Sequence, residues 1–420
     1  QLALNRDPAL ARQAYLQSGS ATGVTVRWRT DIATDSEVRY GTQLGMLNSN
    51  VQLAALTTEH VVELTGLSAD TPYYYSFGGI ANPMAGDDPD HFFVTAPTTG
   101  TAKPTRVWII GDPGKGSTGQ LDVRDAYETF TGATLTDLWL MLGDNAYESG
   151  TDAEYQTKLF DVYTALLRKS VLWPTLGNHD ALTSDSPTQT GPYYANFTLP
   201  TAAEAGGVAS GTEAYYSFDY GNIHFVVLNS SDSPRTAGSA MLTWLAADLA
   251  ATTQDWIIAV WHHPAYSKGS HDSDAEVELI EMRENVIPIL DSHGVDLTFT
   301  GHSHSYERSF LIDGVYATPT PDFATLLAAG KILDAGNGQI GGDGAYAKTM
   351  TGQDPNSGIV HTVAGTAGQV TGAPLNHPVM FTGVVALGSV VLDINGNQAD
   401  VQFLDSTGVV LDNFTMTKGP

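Results

Sequence analysis

Five short apolar runs each end at a side chain able to hold a metal ion, and this recurrence constrains the fold more than any other feature of the chain. "RVWII" (106–110) runs into "GDPG", with Asp112. "LWLML" (138–142) runs into "GDNAYE", with Asp144 and Tyr147. "VLWPTL" (171–176) gives "GNHD", with Asn178 and His179, and "WIIAVW" (256–261) gives "HHPAY", with His262 and His263. "DLTFT" (296–300) gives "GHSHSYERS", with His302 and His304. A sixth run, "IHFVVL" (223–228), has the same character. Amphipathic stretches at 120–130, 152–169, 238–251 and 274–292 lie between several of the runs. Buried strands alternating with helices predict an α/β domain with a largely parallel or mixed sheet. Ligands of such sheets bind outside the carboxyl ends of the strands. One ending of this kind is weak evidence; five in register are strong.

If the last run continued as a strand, His302 and His304 would share a face, because a strand alternates its side chains. Two solvated loop histidines are the plainer reading of that pair. The other four endings favour metal ligation.

The chain begins differently. "VTVRWRT", "SEVRYGT", "EHVVELTGL", "PYYYSFGG" and "HFFVTAP" are short strand signals separated by turns. They predict a small all-β sandwich of immunoglobulin or fibronectin type over 1–97. The Thr-, Pro- and Ala-rich 98–105 reads as a linker, and 106–420 as the second domain. Within it, 313–357 is rich in Gly and Asp and poorly periodic, and is expected to border the pocket as a long loop. Strand signals return from Ile359.

Cysteine is absent, so disulfides, thiolate metal sites and thiol catalysis are excluded. Any transition-metal site must draw on His, Asp, Glu, Asn or Tyr. The formal charge is -27, which argues against binding a nucleic-acid backbone or an anionic membrane surface. An anionic substrate would have to be attracted locally, by metal ions or backbone amides. A saline habitat accounts for such acidity equally well. No apolar stretch approaches the ~20 residues that span a bilayer. There is no phosphate-binding Gly-rich loop with a following Lys and Ser or Thr, and no serine nucleophile elbow.

The order GD-x-G, GD-x-x-Y, GNH, x-x-H and GH-x-H resembles the five-block signature of the purple acid phosphatases, within the calcineurin-like metallophosphoesterase superfamily. "GHSHSYERS" is similar to their last block almost letter for letter. The resemblance implies an α/β fold: a metallophosphoesterase β-sandwich flanked by helices, preceded by a fibronectin-like domain. It implies a dinuclear-metal phosphatase hydrolysing phosphomonoesters by attack of a metal-bound hydroxide. A phosphodiesterase or nucleotide pyrophosphatase with the same metal pair is the alternative. Asp112, Tyr147 and His304 would hold Fe(III), to which a phenolate is suited. Asn178, His262 and His302 would hold a divalent ion (Fe, Zn or Mn), with Asp144 bridging the two. Most relatives in the superfamily carry His two residues after the first Asp; here that residue is Gly114, and Tyr147 supplies the donor instead. In the family block His-x-Pro the register would make His262 the ligand and His263 the free position before Pro264; a register slipped by one would give His263. His179 and His271 occupy the places of histidines that bind phosphate and protonate the leaving group. His224 and His361 read as satisfied core histidines. Glu307 and Arg308 are expected to fix the last block by ion pairing, and Asp180 to orient a neighbouring histidine. The family habit implies a secreted or periplasmic protein acting on small phosphate esters, bound to neither nucleic acid nor membrane.

Overall fold

The six apolar runs are strands, and their burial explains their composition. In the computed structural model, which describes residues 7–419, every residue of Leu138–Met141, Ile223–Val227, Trp256–Trp261 and Leu297–Thr300 is buried. Strands covered on both faces have no solvent side on which a polar residue would be favoured.

The chain divides into two compact units. One runs to Thr98 and also takes in Phe160–Leu172; the other comprises Thr99–Leu159 and the chain from Trp173. The first is a six-stranded antiparallel unit. Its strand Gly23–Gly41 pairs with Leu10–Gln17 through its first half and with Pro72–Gly78 through its second. Register shifts between Arg29 and Ser36 let it bend, as bulges do. Trp28 and Val38, on either side of the bend, therefore reach one core with Val62, Tyr75 and Phe77. The segment 160–172 enters this unit by polar contacts: Tyr75 Oη donates to the Arg168 carbonyl (2.9 Å), and Lys169 pairs with Asp90 (2.7 Å).

The second unit contains an eight-stranded and a seven-stranded mixed sheet. In the first of these, Ile223–Val227, Trp256–Trp261, Leu297–Thr300 and Ile359–Ala364 lie parallel in that order. In the second, Thr105–Ile110 is parallel to Leu138–Met141, with Val171–Pro174 beyond. The helix Thr118–Thr131 starts at Ser117, whose side chain accepts from Gln120 N, and lays Tyr127 on Trp108 with ring centroids 4.4 Å apart.

Two expected helices are broken. The stretch 152–169 becomes Asp152–Tyr155, a wide turn Gln156–Phe160 and Thr164–Leu167, because the chain leaves for the first unit at Phe160. The stretch 274–292 becomes Val277–Glu281, a wide turn Met282–Val286 and Ile287–Ser292. Pro288 lies in this stretch; it offers no N–H and crowds the preceding turn, which widens to accommodate it.

The 313–357 region does not border the strand tips as a whole. Gly352 N donates to Asp255 O and Lys348 Nζ to Asp296 (2.9 Å). Both acceptors precede strands, so this stretch packs at their amino ends. The region's first part does touch the loop that carries His271: Tyr266 Oη donates to the Val315 carbonyl (2.6 Å) and Thr320 N to Asp274 (2.9 Å). His224 is buried as expected but is a cation: its ring nitrogens meet Asp219 (2.8 Å) and Asp248 (2.9 Å). Burial disfavours the charge, yet the two carboxylates outweigh it and carry the pKa up to about 9.

Candidate metal centre

Each candidate donor sits just past the carboxyl end of a strand, and the approach is so close that glycine is required. A Cβ on Gly177 would lie 2.0 Å from the Asp144 backbone nitrogen, and one on Gly114 would lie 2.2 Å from the Asn145 carbonyl oxygen. Position 114 thus cannot carry a histidine unless the 145–146 backbone shifts, and the neighbouring phenol Tyr147 fills that side of the site.

Asp112, Tyr147 and His304 meet. Tyr147 Oη lies 3.0 Å from Asp112 Oδ1 and 3.1 Å from His304 Nε2, and His304 Nε2 lies 3.5 Å from Asp112 Oδ1. Asn178, His262 and His302 also meet: Asn178 Oδ1 is 2.8 Å from His262 Nε2 and 3.0 Å from His302 Nδ1. Asp144 faces His262 Nε2 at 3.5 Å and accepts from His179 N at 2.9 Å. Asp112, Asp144 and His262 offer ligand atoms within 4.8 Å of one another.

The donor chemistry fits a cation. His262 Nδ1 lies 2.8 Å from the Leu142 carbonyl, an acceptor only, so Nδ1 carries the hydrogen. In the neutral ring Nε2 is then a bare lone pair facing the carboxamide oxygen of Asn178. Two acceptors at 2.8 Å call for a proton or a metal between them. Burial, joined by His262 and His271, brings His302 down to about 4, which leaves its lone pair available. Burial works to raise Asp112, but the His304 hydrogen bond and three nearby imidazoles hold it below the usual carboxylate range. Burial first, then Asp112 and Asp144, push the Tyr147 phenol far up, so a phenolate here requires a cation.

Asp112, Asp144 and His302 hold φ at 55°, 52° and 65°. Left-handed backbone costs a non-glycine residue on the order of 1 kcal/mol or more, and such strain clusters at functional sites. For His302 it also corrects the expected alternation. Residues 301–305 form a tight turn, not a continued strand, and the two histidines serve different donor groups.

The remaining residues sort as follows. His263 is buried against Ser230 Oγ (2.9 Å) and packs on the His302 ring, while His262 takes the inward position. His179 leans on Tyr147, its Nδ1 held by the Glu148 carbonyl (2.6 Å). His271 lies over His302, with ring centroids 3.7 Å apart. Asp180 does not orient a histidine. Its oxygens accept from Gly177 N, the Asn145 backbone and side-chain nitrogens, and Tyr155 Oη (2.6 Å), tying two strand-end loops together. Of the two residues expected to fix the last block by ion pairing, Arg308 does so, with Asp412 (2.7 and 2.9 Å), whereas Glu307 accepts from Ser267 Oγ (2.5 Å) and Lys268 N. Sequence reasoning missed Glu276, which contacts His271, and Gln369, whose Nε2 is 3.1 Å from His304 Nε2. Neither carries a motif around it.

The profile of the calcineurin-like phosphoesterases matches residues 105–306, and that of the purple acid phosphatase N-terminal domain matches 11–95. Purple acid phosphatase 15 of Arabidopsis thaliana is 29% identical over 277 residues, covering 60% of this chain and 49% of its own. The chain thus spans about half the length of that curated relative. A phosphoenolpyruvate phosphatase of Allium cepa is 28% identical, covering 75% of this chain and 66% of its own. The solved purple acid phosphatase PPD1 of yellow lupin (Lupinus luteus) seeds shares the fold, with TM-score 0.72 at 18% identity over 97% of this chain and 74% of that one. On its strand-end motifs, its two-sheet fold and these matches, the chain carries a calcineurin-like phosphoesterase domain over 105–306 and the amino-terminal domain of the purple acid phosphatases over 11–95.

Proposed function

We propose that this protein is a two-metal acid phosphatase that hydrolyses small phosphomonoesters. The observation that carries the reading is the convergence of seven donor side chains from five strand ends in two adjoining groups, with lone pairs directed at one another. Asp112, Tyr147 and His304 would hold one cation, and Asn178, His262 and His302 the other, with Asp144 between them. The phenol and carboxylates suit Fe(III) at the first position and the imidazoles a divalent Fe, Zn or Mn at the second. When bound, such a pair supplies Lewis acidity toward a phosphate oxygen and acidifies a water.

The protein's own residues do the rest. His179 and His271, each about 30% exposed, stand at the open side, where a phosphate would enter. The ring nitrogen His271 leaves free, Nε2, can give a proton to the departing oxygen as the phosphorus–oxygen bond breaks. The relatives' names, purple acid phosphatase and phosphoenolpyruvate phosphatase, support a monoester substrate. Secretion or a periplasmic location forms part of this proposal; among the described residues no helix is long and apolar enough to cross a membrane.

The test is turnover by metal-loaded protein. We expect kcat/KM for 4-nitrophenyl phosphate to exceed that for bis(4-nitrophenyl) phosphate by at least about tenfold. A preference for the diester would replace this reading with a phosphodiesterase.

A further inference from the structure

Glu276 follows no apolar run and belongs to none of the five strand-end motifs, yet it sits where the two functional halves of the site touch. Its carboxylate receives His271 Nδ1 at 3.0 Å on one oxygen and 2.8 Å on the other. A carboxylate only accepts, so His271 Nδ1 carries the hydrogen and the other ring nitrogen, Nε2, is turned away from Glu276. The same carboxylate faces His302 Nε2 at 3.6 Å. His302 directs its other nitrogen, Nδ1, at Asn178 Oδ1. The ligand atoms of His271, Glu276 and His302 all lie within 4.8 Å of one another. One carboxylate therefore addresses the outer nitrogen of a candidate metal-holding histidine and the inner nitrogen of the candidate proton donor.

We propose that Glu276 is a positioning residue: it fixes the ring orientation of His271 so that Nε2 faces the leaving-group oxygen, and ties that orientation to His302. This inference rests on the phosphatase reading above. In the step it serves, the oxygen of a water bonds to phosphorus and gives up a proton to solvent as the bond to the leaving oxygen breaks, its electron pair staying on that oxygen. The leaving oxygen's proton comes from His271 Nε2–H, and the imidazole is left neutral and recovers a proton from solvent. Glu276 stays ionised throughout. Carboxylates that orient an imidazole in this way are worth about 10- to 100-fold in affinity or activity.

Glu276 also accepts from Asp272 N at 3.1 Å, which steadies the loop. A loop-holding role must therefore be separated from a positioning role. Glu276→Gln keeps an amide oxygen for Asp272 N but loses the charge and one of the two acceptors; Glu276→Ala loses both. Both variants are loaded with metal, their metal content is measured, and kcat and KM are taken on two monoesters. 4-Nitrophenyl phosphate has a leaving group that needs little protonation; glycerol 2-phosphate has an alkoxide that needs it in full.

With Glu276→Gln we expect kcat on glycerol 2-phosphate to fall about 10- to 100-fold. On 4-nitrophenyl phosphate the fall should be no more than about threefold, with KM steady and metal content unchanged. Equal losses on both esters, or losses that track lost metal, would overturn the positioning role and leave Glu276 a structural residue. Wild-type protein inactive on both esters would overturn the phosphatase reading itself, and this inference with it.

Discussion

Asp144→Asn is expected to lower kcat/KM for 4-nitrophenyl phosphate by at least about 10³-fold, with bound metal falling from two ions per chain to one or fewer. Asp144 is the carboxylate that serves both donor groups. One oxygen lies 3.5 Å from His262 Nε2, and the residue also acts on the Tyr147 phenol. Removing its charge would leave the two proposed cations with no shared anion. Asparagine is the informative substitution. Residue 144 holds φ at 52°, a conformation that asparagine tolerates and alanine does not. The variant should keep the backbone and the acceptor for His179 N while losing the charge. Circular dichroism and the thermal midpoint should stay near wild type. Activity within about tenfold of wild type would show that Asp144 does not link two metals.

Asp296→Ala is expected to destabilise the protein by about 3–5 kcal/mol, the cost of stranding a buried charge. Lys348 Nζ and Lys418 Nζ lie 2.9 and 2.8 Å from the two Asp296 oxygens, and all three side chains have 0% exposure. The cluster holds two cations on one anion. Burial depresses the Lys418 pKa below 10.5; Asp296 opposes this and Lys348 adds to it. A lysine depressed in the folded state costs stability while it stays charged, and that cost is relieved as pH rises toward 10.5. Removing Asp296 leaves two buried ammonium groups without their anion. Lys348→Met should cost much less, about 1 kcal/mol, because a neutral Lys418–Asp296 pair remains. Urea denaturation of the two variants checks this; equal losses would contradict it. The cluster matters for the site because Asp296 opens the strand whose far end delivers His302 and His304.

The strand ends were legible in the sequence because two local signals coincide there. A continuous apolar run marks a strand buried on both faces, and a glycine marks the point where two strand ends come too close for a Cβ. Asp112, Asp144, Tyr147, Asn178, His262, His302 and His304 stood out for that reason. What was not legible depends on partners that no local pattern announces, near or far in the chain. Arg308 pairs with Asp412, and Glu276 with the ring of His271, without any periodicity to announce it. The departure of Phe160–Leu172 to the first unit broke a helix that its own residues favour. Pro288 is itself a helix-breaking signal, set in an apolar spacing that is otherwise regular. The turn at 301–305 defeated strand alternation for a different reason: His302 takes a left-handed backbone that propensity alone disfavours. The Gly- and Asp-rich 313–357 region carries no directional signal, so only the folded chain shows that Lys348 and Gly352 lie at the amino ends of the strands.

The most direct test is anomalous X-ray diffraction from crystals of metal-loaded protein, recorded on either side of the iron and zinc absorption edges. The account predicts two peaks about 3.5–4 Å apart. One should be ringed by Asp112, Tyr147 and His304 and the other by Asn178, His262 and His302, with Asp144 touching both. A single peak, or a pair of peaks away from these side chains, would contradict it.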